Sequence, residues 1–277
     1  MNTASISVGM CQLRQGYDTK ENLERALAMI HEASVGGADI AVLPEMFICP
    51  YEPAAVASAV HITQKALDSL SGCALKNHIY IVAGSLPVDS GNSLPYNTSV
   101  VLDPSGSQVF RHDKIHLFDC TPPGGDAVKE SSFVRPGNHI GTFDTPWGRA
   151  SVVICYDLRF TPLVQLLADQ GTGLLFVPAA FSLVTGRAHW EMLIKMRALE
   201  LQGFVIGVQP AYNTGLNYVP WGHSMAASPW GKVLMDAGQD AGVRYVDLDI
   251  RAIAEIKQRF PLLSHRRKDL YETRWMT

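Results

Sequence analysis

No stretch of the sequence approaches the ~20 uninterrupted apolar residues that a membrane-spanning helix requires. The first residues, Met1, Asn2, Thr3, Ala4 and Ser5, carry neither a basic flank nor an apolar signal core. No membrane partner is expected, and the expected location is cytoplasmic. Cysteine is sparse. Cys11, Cys49, Cys73, Cys120 and Cys155 are odd in number, scattered, and never spaced Cys-x-x-Cys, which argues against a disulfide framework or a structural zinc knot. Without a secretory route the Asn97, Thr98, Ser99 sequon carries no weight. An excess of positive charge is also missing. Lys plus Arg number 23 against 26 Asp plus Glu, a net charge of −3, so nucleic acid is not an expected partner. Charged residues are only 18% of the 277 and apolar ones 47%, spread along the whole chain. That composition excludes disorder and coiled coil, and it supplies a sizeable core.

What is present is an alternation of β-branched runs with amphipathic stretches. Ile6 to Leu13 reads as a strand. Residues 20 to 35 read as a helix with Leu23, Ala26, Leu27 and Ile30 on one face, closed by Gly36 and Gly37. Ile40 to Leu43 is a buried strand, residues 62 to 76 a helix, and Ile79 to Ala83 another strand, which together indicate the α/β class. Two turns share one chemistry: Asp103, Pro104, Ser105, Gly106 and Ser228, Pro229, Trp230, Gly231. Proline presets φ and glycine relieves the exit, which predicts antiparallel hairpins at 98–102 with 107–111 and 223–227 with 232–235. Either the chain has two similar halves or the turns converged. Two sheets, each covered by helices on one face, would make a four-layer sandwich in a single domain over 1–277. From Phe118 to Asn138, rich in proline and glycine, the chain reads as a loop, of a length usually tied to function.

Three segments carry candidate chemistry. In the first, Ser151, Val152, Val153 and Ile154 form a strand that stops at Cys155, after which Tyr156, Asp157, Leu158, Arg159 and Phe160 begin a helix. A nucleophile at such an elbow is held exposed while the next backbone N–H groups point at a developing oxyanion; taken alone, Cys155 reads equally as an ordinary buried cysteine. In the second, the apolar strand Ala41, Val42, Leu43 delivers Glu45 at its C-terminal end. There it is either a proton-transfer group with a desolvated carboxyl or a strand-end glutamate facing water. In the third, Lys114 follows Arg111, His112 and Asp113 at a strand end. It is either a solvated lysine or a cation between Glu45 and Cys155 able to stabilise negative charge on a substrate oxygen. His112 and His116, four residues apart, do not amount to a metal site, because no third ligand is evident.

These segments, Leu43 to Phe47, Lys114 to Asp119 and Ile154 to Phe160, resemble in order and surroundings the nitrilase superfamily of carbon–nitrogen hydrolases. Phe181 to Trp190, Trp221 to Ser224, Ser228 to Gly231 and Arg266 to Tyr271 extend the likeness over nearly the whole chain. The resemblance implies an αββα sandwich with mixed sheets and helices on the outer faces, commonly paired into an αββααββα dimer. It implies a Glu, Lys, Cys triad at Glu45, Lys114 and Cys155, and a second glutamate at Glu130 that holds Lys114; read alone, Glu130 is equally a solvated loop carboxylate. Lys114 to Asp119, Glu130 to Gly137 and Ala188 to Glu191 are most similar to the omega-amidases, which hydrolyse the terminal amide of small dicarboxylic acid monoamides such as 2-oxoglutaramate. One departure is Arg187, where proline is expected.

The implied reaction is acyl transfer to water, the second substrate, through a thioester on Cys155. No metal or organic cofactor is expected, because Lys114 supplies the positive charge. Tyr156, Arg159, Phe118, Phe181 and Trp190 are the expected substrate-binding residues, with Tyr212 and Trp221 further candidates for an apolar wall. Arg159, Arg187, Lys195 and Arg197 are the candidate cations for a substrate carboxylate. Deaminated glutathione, N-carbamoyl amines and nitriles are alternative substrates for the same triad, and a non-catalytic scaffold is the alternative of another class. The basic run His265, Arg266, Arg267, Lys268 is expected to be an ordered tail packed on the body or a partner subunit.

Overall fold

The computed structural model describes residues 4–276. Strand β1 (Ser5–Gln12) leads into helix α1 (Thr19–Val35). The Asp18 side chain opens α1 by accepting from the backbone N–H groups of Lys20 and Glu21. Buried Leu23, Ala26 and Ile30 make the predicted stripe. After β2 (Ile40–Val42), the expected helix at 62–76 is α3 (Thr63–Asn77). Ahead of it stand α2 (Pro53–Ala59) and a 3-10 turn (Val60–Ile62), begun by proline without a polar cap and therefore silent in the periodicity. Next come β3 (Tyr80–Val82), β4 (Leu86–Val88), β5 (Tyr96–Leu102) and β6 (Gln108–Asp113), the last two forming the first expected hairpin. The segment read as a loop from Phe118 to Asn138 holds a short ladder, β7 (Asp119–Cys120) with β8 (Val128–Lys129), and a 3-10 turn at Glu130–Ser132. Strands of two residues are too short to leave a pattern in the sequence.

The second half contributes β9 (Phe143–Thr145), β10 (Gly148–Val152), a 3-10 turn at Cys155–Arg159, α4 (Thr161–Asp169), β11 (Leu174–Pro178), α5 (Leu183–Leu201) and β12 (Phe204–Val208). It ends in β13 (Met225–Ala227), β14 (Val233–Asp236), β15 (Gly242–Asp249) and α6 (Arg251–Arg259). The second hairpin starts two residues later than 223, because Gly222 (φ 77°) and His223 (φ 55°) are left-handed and extended backbone resumes only at Met225.

Two mixed sheets result. One runs β15-β1-β2-β3-β5-β4 with β6 also on β5; the other runs β14-β13-β12-β11-β10-β9. Successive side chains on a strand face opposite ways, and the strands use both faces. Ile40 and Val42 of β2 and Leu174 and Phe176 of β11 enter the apolar layer between the sheets. Ala41 packs under α1 and α3, while Leu175 and Val177 pack under α4 and α5. Three apolar layers between two sheets and two helical covers make the αββα sandwich. The basic tail lies on α4: Arg266 and Lys268 both pair with Asp169, and Thr273 Oγ1 donates to Gln165. Among the described residues no helix is long and apolar enough to cross a membrane.

Candidate active site

Glu45 stands three residues beyond β2 and Cys155 three beyond β10, so the two sheets offer matching strand ends to one place. Met46 (φ 49°) and Cys155 (φ 48°) are both left-handed, a costly conformation for non-glycine residues that surrounding contacts must hold. At Met46 the backbone N–H donates to Ser85 Oγ at 2.9 Å. Gly84 backs the turn so closely that a Cβ there would lie 2.0 Å from the Pro44 carbonyl oxygen, so only glycine allows it. Lys114 follows β6, tied by its own N–H to the Asn97 carbonyl (2.8 Å) and by its carbonyl to the Gly137 N–H (2.8 Å).

The side chains meet in the interior. Lys114 Nζ donates to Glu45 Oε1 at 2.9 Å and to Glu130 Oε1 and Oε2 at 3.0 and 2.9 Å, and all three residues are 0% exposed. The Tyr51 hydroxyl lies 3.4 Å from the same nitrogen. Glu130 also accepts from the Phe118 N–H at 2.6 Å, which locks the loop carboxylate inward. Asn97 Nδ2 donates to Glu45 Oε1 (2.8 Å) and Glu130 Oε1 (3.3 Å). Glu45 Oε2 has no hydrogen-bond partner among the described residues.

These contacts set the proton affinities. Burial pushes the Glu45 carboxyl above the usual carboxylate range, with Lys114 opposing the rise and Glu130 adding to it. Burial disfavours the Lys114 ammonium, but Glu130 and Glu45 together hold its pKa well above the ordinary lysine value. The Cys155 thiol is pushed well above its usual value by burial and then by the charge of Glu45, with Lys114 pulling the other way. The Cys155 sulfur thus shares its surroundings with a Glu45 carboxyl group that has an unused oxygen and with the Lys114 ammonium.

Cys155 lines a narrow cleft together with Tyr51, Phe118, Tyr156, Arg159, Phe181 and Tyr218. At 8% exposure it is the one member of the quartet Glu45, Lys114, Glu130 and Cys155 that lines this cleft. Of the five expected substrate-binding residues, Phe118, Tyr156, Arg159 and Phe181 line it. Trp190 does not: it packs behind Phe181 (ring centroids 4.9 Å apart) and over Gly207, and its Nε1 donates to the His223 carbonyl at 2.7 Å. On α5 its position turns it into the helix–sheet layer, which no local pattern separates from a cleft-facing one. Tyr212 and Trp221 also lie outside the lining.

Among the four candidate cations only Arg159 reaches the cleft. Arg197 is buried and donates to the Leu158 and Arg159 carbonyls and to Glu200. Lys195 pairs with Glu191 on the outside of α5. Arg187 is exposed on an outer groove with Met192 and Trp230, so its side chain does not form the substrate-side wall. His112 and His116 both turn toward Asp157. Sequence spacing missed Asn97, Tyr51, Thr185 and Tyr218. Tyr51 was within reach as the aromatic closing the Glu45 segment, whereas Tyr218 sits in a distant loop with no local signal.

A profile of the carbon–nitrogen hydrolase family matches residues 7–258. The chain is 40% identical to omega-amidase NIT2 of Homo sapiens, over 96% of this chain and 97% of that protein. It is 42% identical to omega-amidase NIT2 of Xenopus tropicalis over 97% of each. Its fold superposes on Saccharomyces cerevisiae Nit3, a member of branch 10 of the nitrilase superfamily, with a TM-score of 0.87 and 33% identity, covering 96% and 97% of the two chains. The NitFhit protein of C. elegans gives 0.91 at 30% identity, covering 99% of this chain and 68% of that one. Strand-end placement, a buried carboxylate–ammonium cluster behind a cysteine, and full-length likeness coincide: the chain belongs to the carbon–nitrogen hydrolase family, within the nitrilase superfamily.

Proposed function

We propose that this protein is a cytoplasmic omega-amidase, a single hydrolase domain that converts small dicarboxylic acid monoamides such as 2-oxoglutaramate to the diacid and ammonia. The observation that carries this reading is the cleft itself, lined by both Cys155 and Arg159, a cation with no carboxylate partner among the described residues. Cys155 Sγ attacks the amide carbon, its proton passes to Glu45, and the carbonyl electron pair moves to oxygen. Lys114 and the Tyr156 N–H stabilise that oxyanion. The C–N bond breaks as Glu45 hands the proton to the departing ammonia, leaving a thioester. Water then attacks as Glu45 takes its proton, and the C–S bond breaks with its electron pair on sulfur, which takes that proton back from Glu45 to return the thiol. Glu130 holds Lys114 in place throughout.

Selectivity for an acidic acyl chain follows from the wall. The Arg159 guanidinium lies 4.8 Å from the Phe181 ring centroid, and its Nη1 faces His189 Nδ1 at 3.2 Å, which leaves donors for a substrate carboxylate. The test is an ammonia-release screen over monoamides of dicarboxylic acids, deaminated glutathione, neutral amides, nitriles and N-carbamoyl amines. Monoamides are expected to have the highest kcat/KM; release of carbon dioxide with ammonia would instead indicate a carbamoyl substrate. Arg159→Ala is expected to raise KM for the monoamides about 10- to 100-fold, as loss of a charge-assisted pair should, with little change for a neutral amide.

The acid limb of the pH–rate profile is expected to report Glu45. Because burial raises its pKa, the carboxylate needed as base forms only above the usual glutamate value, about 4.3. Thus kcat/KM should fall as pH drops through a midpoint displaced upward from that value, since this ratio titrates the free enzyme. A midpoint at or below the ordinary value would contradict Glu45 as the base.

We also propose that two copies pair through the outer face of α5. In its favour, Met192 (61% exposed), Met196 (48%) and Trp230 (60%) are large exposed apolar side chains that line one outer groove there. Light scattering at micromolar concentration is expected to give the dimer mass, and Met196→Glu the monomer mass.

A further inference from the structure

Asp157 stands two residues beyond Cys155 and is fully buried. Its carboxylate accepts four hydrogen bonds. Oδ1 receives the backbone N–H of His116 and the ring Nδ1–H of the same residue, each at 2.8 Å. Oδ2 receives His112 Nε2–H at 3.0 Å and the Ile154 backbone N–H at 3.2 Å. The donors are not random in the sequence. His112 and His116 stand two residues before and two after Lys114, and Ile154 immediately precedes Cys155. One buried carboxylate therefore ties both flanks of the lysine to the turn that carries the sulfur.

The fit is specific to a carboxylate. Its two oxygens offer about four lone-pair sites, and all four are taken; an amide offers one acceptor oxygen and would aim N–H at donors. The hydrogen bonds also assign the tautomers. His112 donates through Nε2, with Nδ1 buried and without a partner among the described residues, and His116 donates through Nδ1 while its ring stacks on Phe160 at 3.5 Å between centroids. Burial disfavours the Asp157 carboxylate, yet the two histidine donors hold its pKa below the usual range.

We infer that Asp157 is a positioning residue for amide hydrolysis, setting the separation of the Lys114 ammonium from Cys155 Sγ through its bonds to His112, His116 and Ile154. The inference rests on the reading of Cys155 as nucleophile and Lys114 as oxyanion partner. The need for such a tie is geometric. Cys155 is held left-handed, while Lys114 is drawn toward Glu45 and Glu130, and a displacement of about 1 Å at a reacting centre costs about 100-fold in rate.

The test is Asp157→Asn in the full chain, read by steady-state kinetics, thermal melting and the rate at which iodoacetamide alkylates Cys155. The expected result is a folded protein with kcat lower by about 100-fold, KM within about threefold, and alkylation slowed by about tenfold as the thiol loses its place beside Glu45. His112→Gln and His116→Asn keep an N–H near its original position and should retain kcat, whereas His112→Leu should lower it about tenfold. Val246→Ala, a core change remote from the turn, serves as the stability control and should leave kcat unchanged. A folded Asp157→Asn with wild-type kcat and alkylation rate overturns the inference. Where that variant does not fold, equal kcat in His112→Leu and His112→Gln overturns it. If the unaltered chain releases no ammonia from any amide, the hydrolase reading fails, and the alkylation comparison still decides on Asp157.

Discussion

Cys155→Ala is expected to abolish ammonia release, a fall of at least about 10⁴-fold, because removing a nucleophile ends the covalent route and leaves only the residual acceleration of the surrounding site. No other sulfur can substitute. Cys11 and Cys49 are wholly buried, and burial pushes the Cys49 thiol up to about 12 and that of Cys11 higher still. Cys73 is on α3 and outside the cleft lining, its Sγ accepting from Asn77 Nδ2 at 3.2 Å, and Cys120 Sγ is engaged with the Tyr156 hydroxyl at 3.2 Å. Cys155→Ser should fare no better, since Glu45 is too weak a base to activate a hydroxyl. Both variants should melt near the parent temperature, because losing or replacing the single Cys155 sulfur at the edge of the cleft changes stability by about 1 kcal/mol. Initial-rate ammonia assays alongside thermal melts settle the matter: retained turnover above about one part in 10⁴ would reject the thioester route.

Lys114→Met is expected to damage activity and stability together, which few active-site substitutions do. Losing an oxyanion donor costs about 10²- to 10³-fold in kcat. Losing the shared cation strands Glu45 and Glu130, both 0% exposed and each within 3.0 Å of the ammonium. Breaking a buried pair on one side costs about 3–5 kcal/mol, a large share of the roughly 5–15 kcal/mol that holds a typical fold. Glu45, whose pKa burial already raises, loses the cation that opposed that rise, so the variant's stability should fall as pH rises, with a higher melting temperature in mild acid than at neutral pH. Adding Glu130→Gln removes one stranded charge and should restore much of the melting temperature without restoring kcat. Recovery of both would mean that Lys114 acts only as scaffolding.

The two kinds of information divide along a physical line. Helix α1 was legible because its apolar residues recur at offsets of three and four, and the hairpin of β5 with β6 because Pro104 and Gly106 permit so few turn geometries. α2 escaped because a proline start leaves no cap, and β7 with β8 because two residues cannot display a period. At the site, Glu45, Lys114 and Cys155 stood out as charged or nucleophilic residues at the ends of apolar runs, in segments resembling one family. Asn97 stands in the sequence only as a sequon, yet its side chain is wholly buried and donates to both Glu45 and Glu130.

By itself the amino-acid order determined the α/β class, the strand ends that carry reactive side chains, and the family whose chemistry they match, since each depends on residues near one another along the chain. Only the tertiary structure decided the rest. Strand pairing within one sheet brought Glu45 to Lys114 across 69 residues, the second sheet added Cys155, and the packing of the layers selected Arg159 over Arg187, Lys195 and Arg197 as the cleft cation and turned Trp190 inward behind Phe181. The reason is that a side chain's direction at a strand or helix end is set by what the opposing layer leaves open, and local spacing holds no record of that layer.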